Sequence, residues 1–122
     1  IINPIIILNA IKKFCDDKKL GLKFPNDVFY NRKKICGLLQ ELITQKNKKF
    51  LIIGIGLNIV SNPNINNEYK ATNIYLETKK KPSIMKIINL IISSYENFFI
   101  HLDSYNYESF KKKSEELSLK KM

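Results

Sequence analysis

A chain of 122 residues is long enough for one domain with a core of its own, and 44% hydrophobic residues is an ordinary globular share. No apolar run reaches the roughly 18 residues a membrane span needs, and the apolar residues 5–8 lack the basic lead-in and small-residue exit of a signal peptide, so no membrane partner is expected and the cytoplasm is the expected location. The net charge of +10 raises a polyanion partner, but 20 Lys stand against the single Arg32, and with 20 Ile and 14 Asn they fill 54 positions, a bias expected of an A/T-rich coding sequence rather than of a nucleic-acid site, which favours bidentate arginine contacts.

The chain opens on Ile1 rather than Met, as expected of a segment of a longer protein. Asn3-Pro4 reads as a helix start, because Asn caps and Pro suits the first turn. Ile5, Leu8, Ile11 and Cys15 follow at helical spacing, and Gly21 after Lys18 and Lys19 reads as the stop, so a helix is predicted over 4–19. Short strands are predicted over 22–24 and 28–30, separated by the turn residues Pro25, Asn26 and Asp27. Asn31-Arg32 reads as a two-residue hairpin turn into a strand over 34–45, and 46–49 as a polar turn.

Residues 50–60 form a nearly unbroken apolar run with two glycines, which predicts a central strand buried on both faces. An Asn-rich loop is predicted over 61–68, and 71–76 is ambiguous. Pro82 opens the clearest periodic segment: Ile84, Ile87, Ile88, Ile91, Ile92, Tyr95, Phe98, Phe99 and Leu102 step by threes and fours, as in a core-facing helix. Asp103 or Ser104 is read as the cap of a last helix holding Tyr107, Phe110 and Leu117, with a charged tail fraying from Lys111. A helix, a meander of strands and then helices predicts an α+β fold, a mixed or antiparallel sheet with helices packed on one face. Cys15 and Cys36 sit among apolar neighbours and read as buried free thiols rather than a disulfide. His101 has no metal-ligand neighbours in sequence, and its place at a helix end suits the helix dipole, so no metal site is expected.

Three clusters carry the chemistry: Lys23-Phe24-Pro25-Asn26-Asp27, then Lys33-Lys34-Ile35-Cys36-Gly37-Leu38-Leu39, then Gly54-Ile55-Gly56-Leu57-Asn58. Gly54 and Gly56 are two apart in a strand, so they share a face. Glycine inside a strand often marks the close approach of a ligand or another backbone. Gly37, on the preceding strand, extends the cleared patch into a shallow groove floored by backbone. The plainer reading of such glycines is a bulge or tight packing, and the two readings stand level here. Lys34 at the mouth of the groove suits a carboxylate or phosphate, although in so lysine-rich a chain Lys34 and Lys23 also read as solvated cations. Asp27 is either a turn residue or an acid at a sheet end. Asn58 puts an amide, a good partner for a purine edge, beside the patch.

Taken together, in order and in spacing, these clusters resemble the biotin protein ligase family, whose usual forms are Lys-Trp-Pro-Asn-Asp, Lys-Ile-Ala-Gly-Ile-Leu and Gly-Ile-Gly-Ile-Asn. Ala71-Thr72-Asn73 resembles the family's Ala-Thr-Ser segment, and the likeness runs to about Leu102. The resemblance implies a class II synthetase-like biotin/lipoate ligase catalytic domain, present in part over 1–110, with a charged tail over 111–122. It implies ATP and biotin as substrates with Mg2+, formation of biotinyl-5′-AMP, and transfer of the biotinyl group to one lysine of a biotin carboxyl carrier protein. It implies Lys34 and Asp27 as catalytic residues, Lys34 at the reacting carboxyl and phosphate and Asp27 at the acceptor lysine. It implies Lys23, Asn26 and Asn58 on the nucleotide side, and Gly37, Leu39, Gly54, Gly56 and Leu57 along the biotin pocket. A homodimer is compatible with it.

Phe24 and Cys36 depart from the family's Trp and Ala. The family's Gly-Arg-Gly-Arg-Arg-Gly loop is not among these residues, and neither is a helix-turn-helix or a C-terminal β-barrel. The alternatives are a lipoate ligase or octanoyl transferase of the same fold, a basic nucleic-acid-binding module, and a truncated inactive remnant.

Overall fold

The computed structural model describes residues 2–63, 70–102 and 106–118. Four antiparallel strands form one sheet in the order β1-β2-β3-β4: β1 (Leu20–Lys23), β2 (Asp27–Tyr30), β3 (Lys33–Gln45) and β4 (Lys48–Leu57). The helices are α1 (Ile2–Ile11), α2 (Ile74–Thr78), α3 (Ile84–Ile100) and α4 (Tyr107–Leu117). The expected α+β class holds, and the sheet is antiparallel; among the described residues, parallel contact is limited to the isolated bridges Leu22–Ser118 and Lys34–Ala71.

Two hairpin turns set the register. Asn31 and Arg32 lie at φ 51° and 64°, and Lys46 and Asn47 at 49° and 64°. Paired left-handed residues make the two-residue turn whose twist matches antiparallel strands. The β2–β3 ladder is interrupted once: Val28 pairs with Cys36 and Phe29 with Lys34, so Ile35 is an extra, bulged residue.

The core lies between one face of the sheet and the helices. Leu20, Leu22, Val28, Tyr30, Ile35, Cys36 and Leu38 meet Ile5, Ile7, Leu8 and Ile11 of α1, with Ile74 and Ile87. Both cysteines are free and buried there, as expected. Fully burying an aliphatic side chain contributes about 1.5–3 kcal/mol, so this cluster carries much of the hydrophobic stability.

Several expectations are corrected. The first helix ends at Ile11, not Lys19. Asp16 redirects the chain, its carboxylate accepting from the Lys18 N–H at 3.0 Å and its carbonyl from the Lys19 N–H at 3.1 Å, which forms a 3-10 turn over Asp17–Lys19. Gly21 is no helix stop but a residue of β1, paired with Phe29. Asn3 lies inside α1, where its Oδ1 accepts from the Tyr95 hydroxyl at 2.9 Å.

The run 50–60 is not a doubly buried central strand. β4 stands at the end of the strand order, and Phe50, Leu51 and Ile52 are about half exposed. Ile53, Ile55, Leu57 and Ile59 lean on the core. Likewise α3 buries Ile87 and rests Ile91 and Tyr95 on the core, while Ile84, Ile88, Ile92 and Phe99 are exposed.

The ambiguous 71–76 resolves into the Ala71 bridge and α2, whose N-cap Asn73 accepts from the Leu76 N–H at 2.7 Å. The proposed caps Asp103 and Ser104 lie outside the described residues, and α4 is capped by Asn106. The segment from Lys111 is helical as far as Leu117, with Phe110 and Leu117 packed on the core and Ser118 bridging Leu22. His101 ends α3, with Nδ1 2.9 Å from the Asn97 carbonyl.

Candidate active site

The glycines lie where a shared face requires. Asp27 pairs with Gly37, and Gly37 with Gly56, giving one row across β2, β3 and β4; in the next row on that face Leu39 pairs with Gly54. The core occupies the opposite face, so this row looks away from the helices. A Cβ built at Gly54 would meet nothing nearer than Leu39 Cβ and O at 3.8 Å, and one at Gly56 nothing nearer than Gly37 O at 3.7 Å. Those are ordinary contacts. Packing within the chain therefore does not demand glycine at either place, and the plain reading of tight packing fails for both.

Gly37 differs. A Cβ there would lie 3.2 Å from Lys34 Cε and 3.3 Å from Lys34 Nζ. The Lys34 side chain runs along the strand over Gly37, and its ammonium meets Asp27 Oδ1 at 3.3 Å. Lys34 and Gly37 are three apart, which in a regular strand puts them on opposite faces. The bulge at Ile35 adds the missing half-period and brings both to one face.

The Lys34 backbone is held from outside the hairpin. Its N–H donates to Lys70 O at 2.8 Å, its carbonyl accepts from the Thr72 N–H at 2.8 Å, and Ile35 O accepts from the Asn58 N–H at 2.9 Å. Asn58 Nδ2 donates to Thr72 O at 3.0 Å. Asn58 thus ties the end of β4 to the segment that clamps Lys34. The sequence reading overlooked Ile35 and Thr72 as positioning residues; the signal for Thr72 was its place in Ala71-Thr72-Asn73.

The structure gathers Lys23, Asp27, Lys34, Gly37, Leu39, Gly54 and Gly56 on one face. Leu57 pairs with Cys36 and leans on the core from the other face. Asn26 sits in the turn before β2, its carbonyl accepting from the Leu38 N–H at 2.9 Å and its Oδ1 from Gln40 Nε2 at 3.3 Å. Phe24, at the family's Trp position, is 66% exposed.

The Asp27–Lys34 pair is about a third exposed on both sides. Such a pair contributes about 0–1 kcal/mol, so a ligand with its own negative charge can open it cheaply. Beneath the row, burial pushes the Cys36 thiol up to about 12, with the Asp27 charge adding and Lys34 opposing. Burial likewise raises Cys15 to about 11. Both remain thiols near neutral pH, which argues against a cysteine nucleophile. A cleft of about 320 Å³ between α1, α3 and α4 is lined by Ile5, Asn9, Asn97, Phe98 and Phe110 among others, and holds none of the predicted residues.

This face thus presents an open glycine floor bordered by Lys23, Asp27 and Lys34. Residues 7–58 match the model of the biotin/lipoate A/B protein ligase family. The chain is 33% identical to biotin–protein ligase 2 of Arabidopsis thaliana over 107 residues, 78% of this chain and 30% of that protein. It superposes on biotin protein ligase from Aquifex aeolicus in complex with biotin and ATP, with TM-score 0.67 and 27% identity, over 96% of this chain and 50% of that one. The biotin protein ligase of Leishmania major in complex with biotinyl-5-AMP shares the fold, with TM-score 0.78 and 22% identity, over 98% of this chain and 53% of that one. Over residues 7–58 the chain carries the biotin/lipoate A/B protein ligase domain, and its fold is that of the solved biotin protein ligases. It spans about half the length of these solved relatives and under a third of the curated one.

Proposed function

We propose that this chain supplies half of the site of a biotin protein ligase, which joins biotin to ATP and passes the biotinyl group to a lysine of a biotin carboxyl carrier domain. The observation that carries this reading is the row Asp27–Gly37–Gly56, with Lys34 laid across it and the Gly54–Gly56 floor open beside it. The relatives in complex with biotin and ATP and with biotinyl-5-AMP support it.

In the first step a biotin carboxylate oxygen bonds to the α-phosphorus of ATP as the bond to pyrophosphate breaks. Lys34 leaves Asp27 and neutralises the charge that builds on the phosphate and carboxyl oxygens. In the second step the acceptor amine bonds to the acyl carbon, AMP leaves, and the amine's proton passes to Asp27, now free of its cation. Leu39 and the Gly54–Gly56 floor hold the biotin rings, and Lys23, Asn26 and Asn58 lie toward the nucleotide. Among the described residues no three His, Cys, Asp or Glu side chains gather to hold a metal. Mg2+ accompanying ATP would supply charge neutralisation at the phosphates, beside the cation of Lys34. A second copy of the domain is a further partner in this reading.

Isothermal titration with a non-hydrolysable biotinyl-adenylate analogue tests it. The chain binds the analogue, and Lys34→Ala weakens binding about 10-fold or more, the loss of a hydrogen bond to a charged group. A folded chain that ignores the analogue, or prefers its lipoyl counterpart, overturns the biotin assignment.

A further inference from the structure

We propose that Gly37 is a positioning residue for Lys34: it is glycine to leave a slot in which the lysine arm lies flat on the sheet, and not to floor the ligand. The inference rests on the reading of Lys34 given above and changes the role of its neighbour. Three observations carry it. A Cβ at Gly37 would press on Lys34 Cε and Nζ at 3.2 and 3.3 Å, and the next atom it meets is Asp27 Oδ1 at 3.7 Å. The glycines that do open the floor, Gly54 and Gly56, have no such neighbour and would accept a Cβ at 3.7–3.8 Å. The Lys34 backbone, clamped to Lys70 and Thr72 beside the Ile35 bulge, cannot follow the side chain if it is displaced.

A rigid root and a flat slot fix the direction of a flexible arm. The arm ends beside Asp27, the backbone partner of Gly37. A methyl group at position 37 would displace the ammonium from its seat beside Asp27 by a few tenths of an ångström, with the fold intact, because only the end of a flexible side chain has to yield. The slot holds the cation against a carboxylate, from which an anionic ligand would draw it a short way along a fixed track. Gly37 thereby limits the orientations that Lys34 searches, which is where a positioned cation gains over a solvated one.

Two measurements test this. The first needs no ligand: residue-resolved acylation of lysine amines by acetic anhydride, read by mass spectrometry. Lys34 reacts slowly beside the exposed Lys46, and Gly37→Ala and Asp27→Asn each speed it several-fold, whereas Gly54→Ala leaves it unchanged. An unchanged Lys34 rate in Gly37→Ala, with an unchanged thermal midpoint, overturns the proposal.

The second is a double-mutant cycle on binding of the biotinyl-adenylate analogue. Gly37→Ala weakens binding in the native background and is silent, within about 2-fold, once Lys34 is Ala; Gly54→Ala weakens binding equally in both backgrounds. An equal Gly37→Ala penalty in both backgrounds makes Gly37 a floor residue and overturns the proposal. A faster Lys34 in Gly37→Ala, together with native binding by Lys34→Ala, upholds the slot and removes the ligase role of Lys34 instead.

Discussion

Gly54→Val should stabilise the chain while removing its ligand site. Glycine inside a strand costs roughly 0.5–1 kcal/mol relative to alanine, and a β-branched residue adds part of a strand-preference scale spanning about 1 kcal/mol. Nothing offsets the gain, because a Cβ at Gly54 meets only Leu39 at 3.8 Å, Leu39 is 78% exposed and free to turn, and no glycine of the described chain has positive φ. A net gain of about 1 kcal/mol raises the midpoint of thermal unfolding by about 4 °C in a domain of this size. A ring lying on the backbone at about 3.5–4 Å overlaps the new methyl groups. At the usual overpacking cost of about 1–3 kcal/mol, affinity for the biotinyl-adenylate analogue falls about 5-fold to 150-fold. Differential scanning fluorimetry and titration calorimetry read both effects on one sample. A destabilised variant means that the patch packs against protein, and a stabilised variant with native affinity means that the floor is not where the ligand lies; either result refutes the reasoning.

Three further outcomes follow from the same structure. Asn73→Ala removes the cap of α2 and a 2.8 Å hydrogen bond to Asn62, and should cost about 0.5–2 kcal/mol in urea unfolding. Cys15 and Cys36 should react with a thiol reagent at pH 8 only after denaturant is added. Their thiols are raised by burial from 9.0 to about 11 and about 12, so the folded chain keeps protons that the unfolded chain has lost; this contribution is whole below pH 9.0 and declines as pH rises through 11 and 12, visible as a falling urea midpoint. Leu42, Ile43, Phe50, Leu51 and Ile52 expose apolar surface on the β3–β4 hairpin, and Ile52→Lys should lower self-association in sedimentation velocity, as charge does on an edge strand.

The sheet and the grouping of the glycines were readable from sequence because both rest on local rules. Asn31-Arg32 named its turn, and the alternation of Gly54 and Gly56 named their shared face. The first helix was overextended because Cys15 and the lysines continue its pattern, whereas the turn at Asp16 depends on side-chain hydrogen bonds that periodicity does not register. The run 50–60 misled for a different reason. Its composition is that of a strand covered on both faces, and in this chain β4 is an edge strand with one half-covered face. Composition reports the environment a sequence is selected for. The exposed side of β4 and the exposed stripe of α3 carry apolar side chains that the described residues leave uncovered.

Lys34 shows most sharply what a pattern cannot carry. The spacing of three between Lys34 and Gly37, taken with strict alternation, sends the cation to the core face, where an unpaired ammonium would cost several kcal/mol. The residue that prevents this is Ile35, fully buried and outwardly an ordinary core position. Its burial anchors the bulge, the bulge turns Lys34 to the open face, and Thr72 and Asn58 fasten the backbone at that point. The apolar core and the placement of Lys34 are thus one construction: a residue chosen for hydrophobicity sets the side of the sheet to which the cation turns.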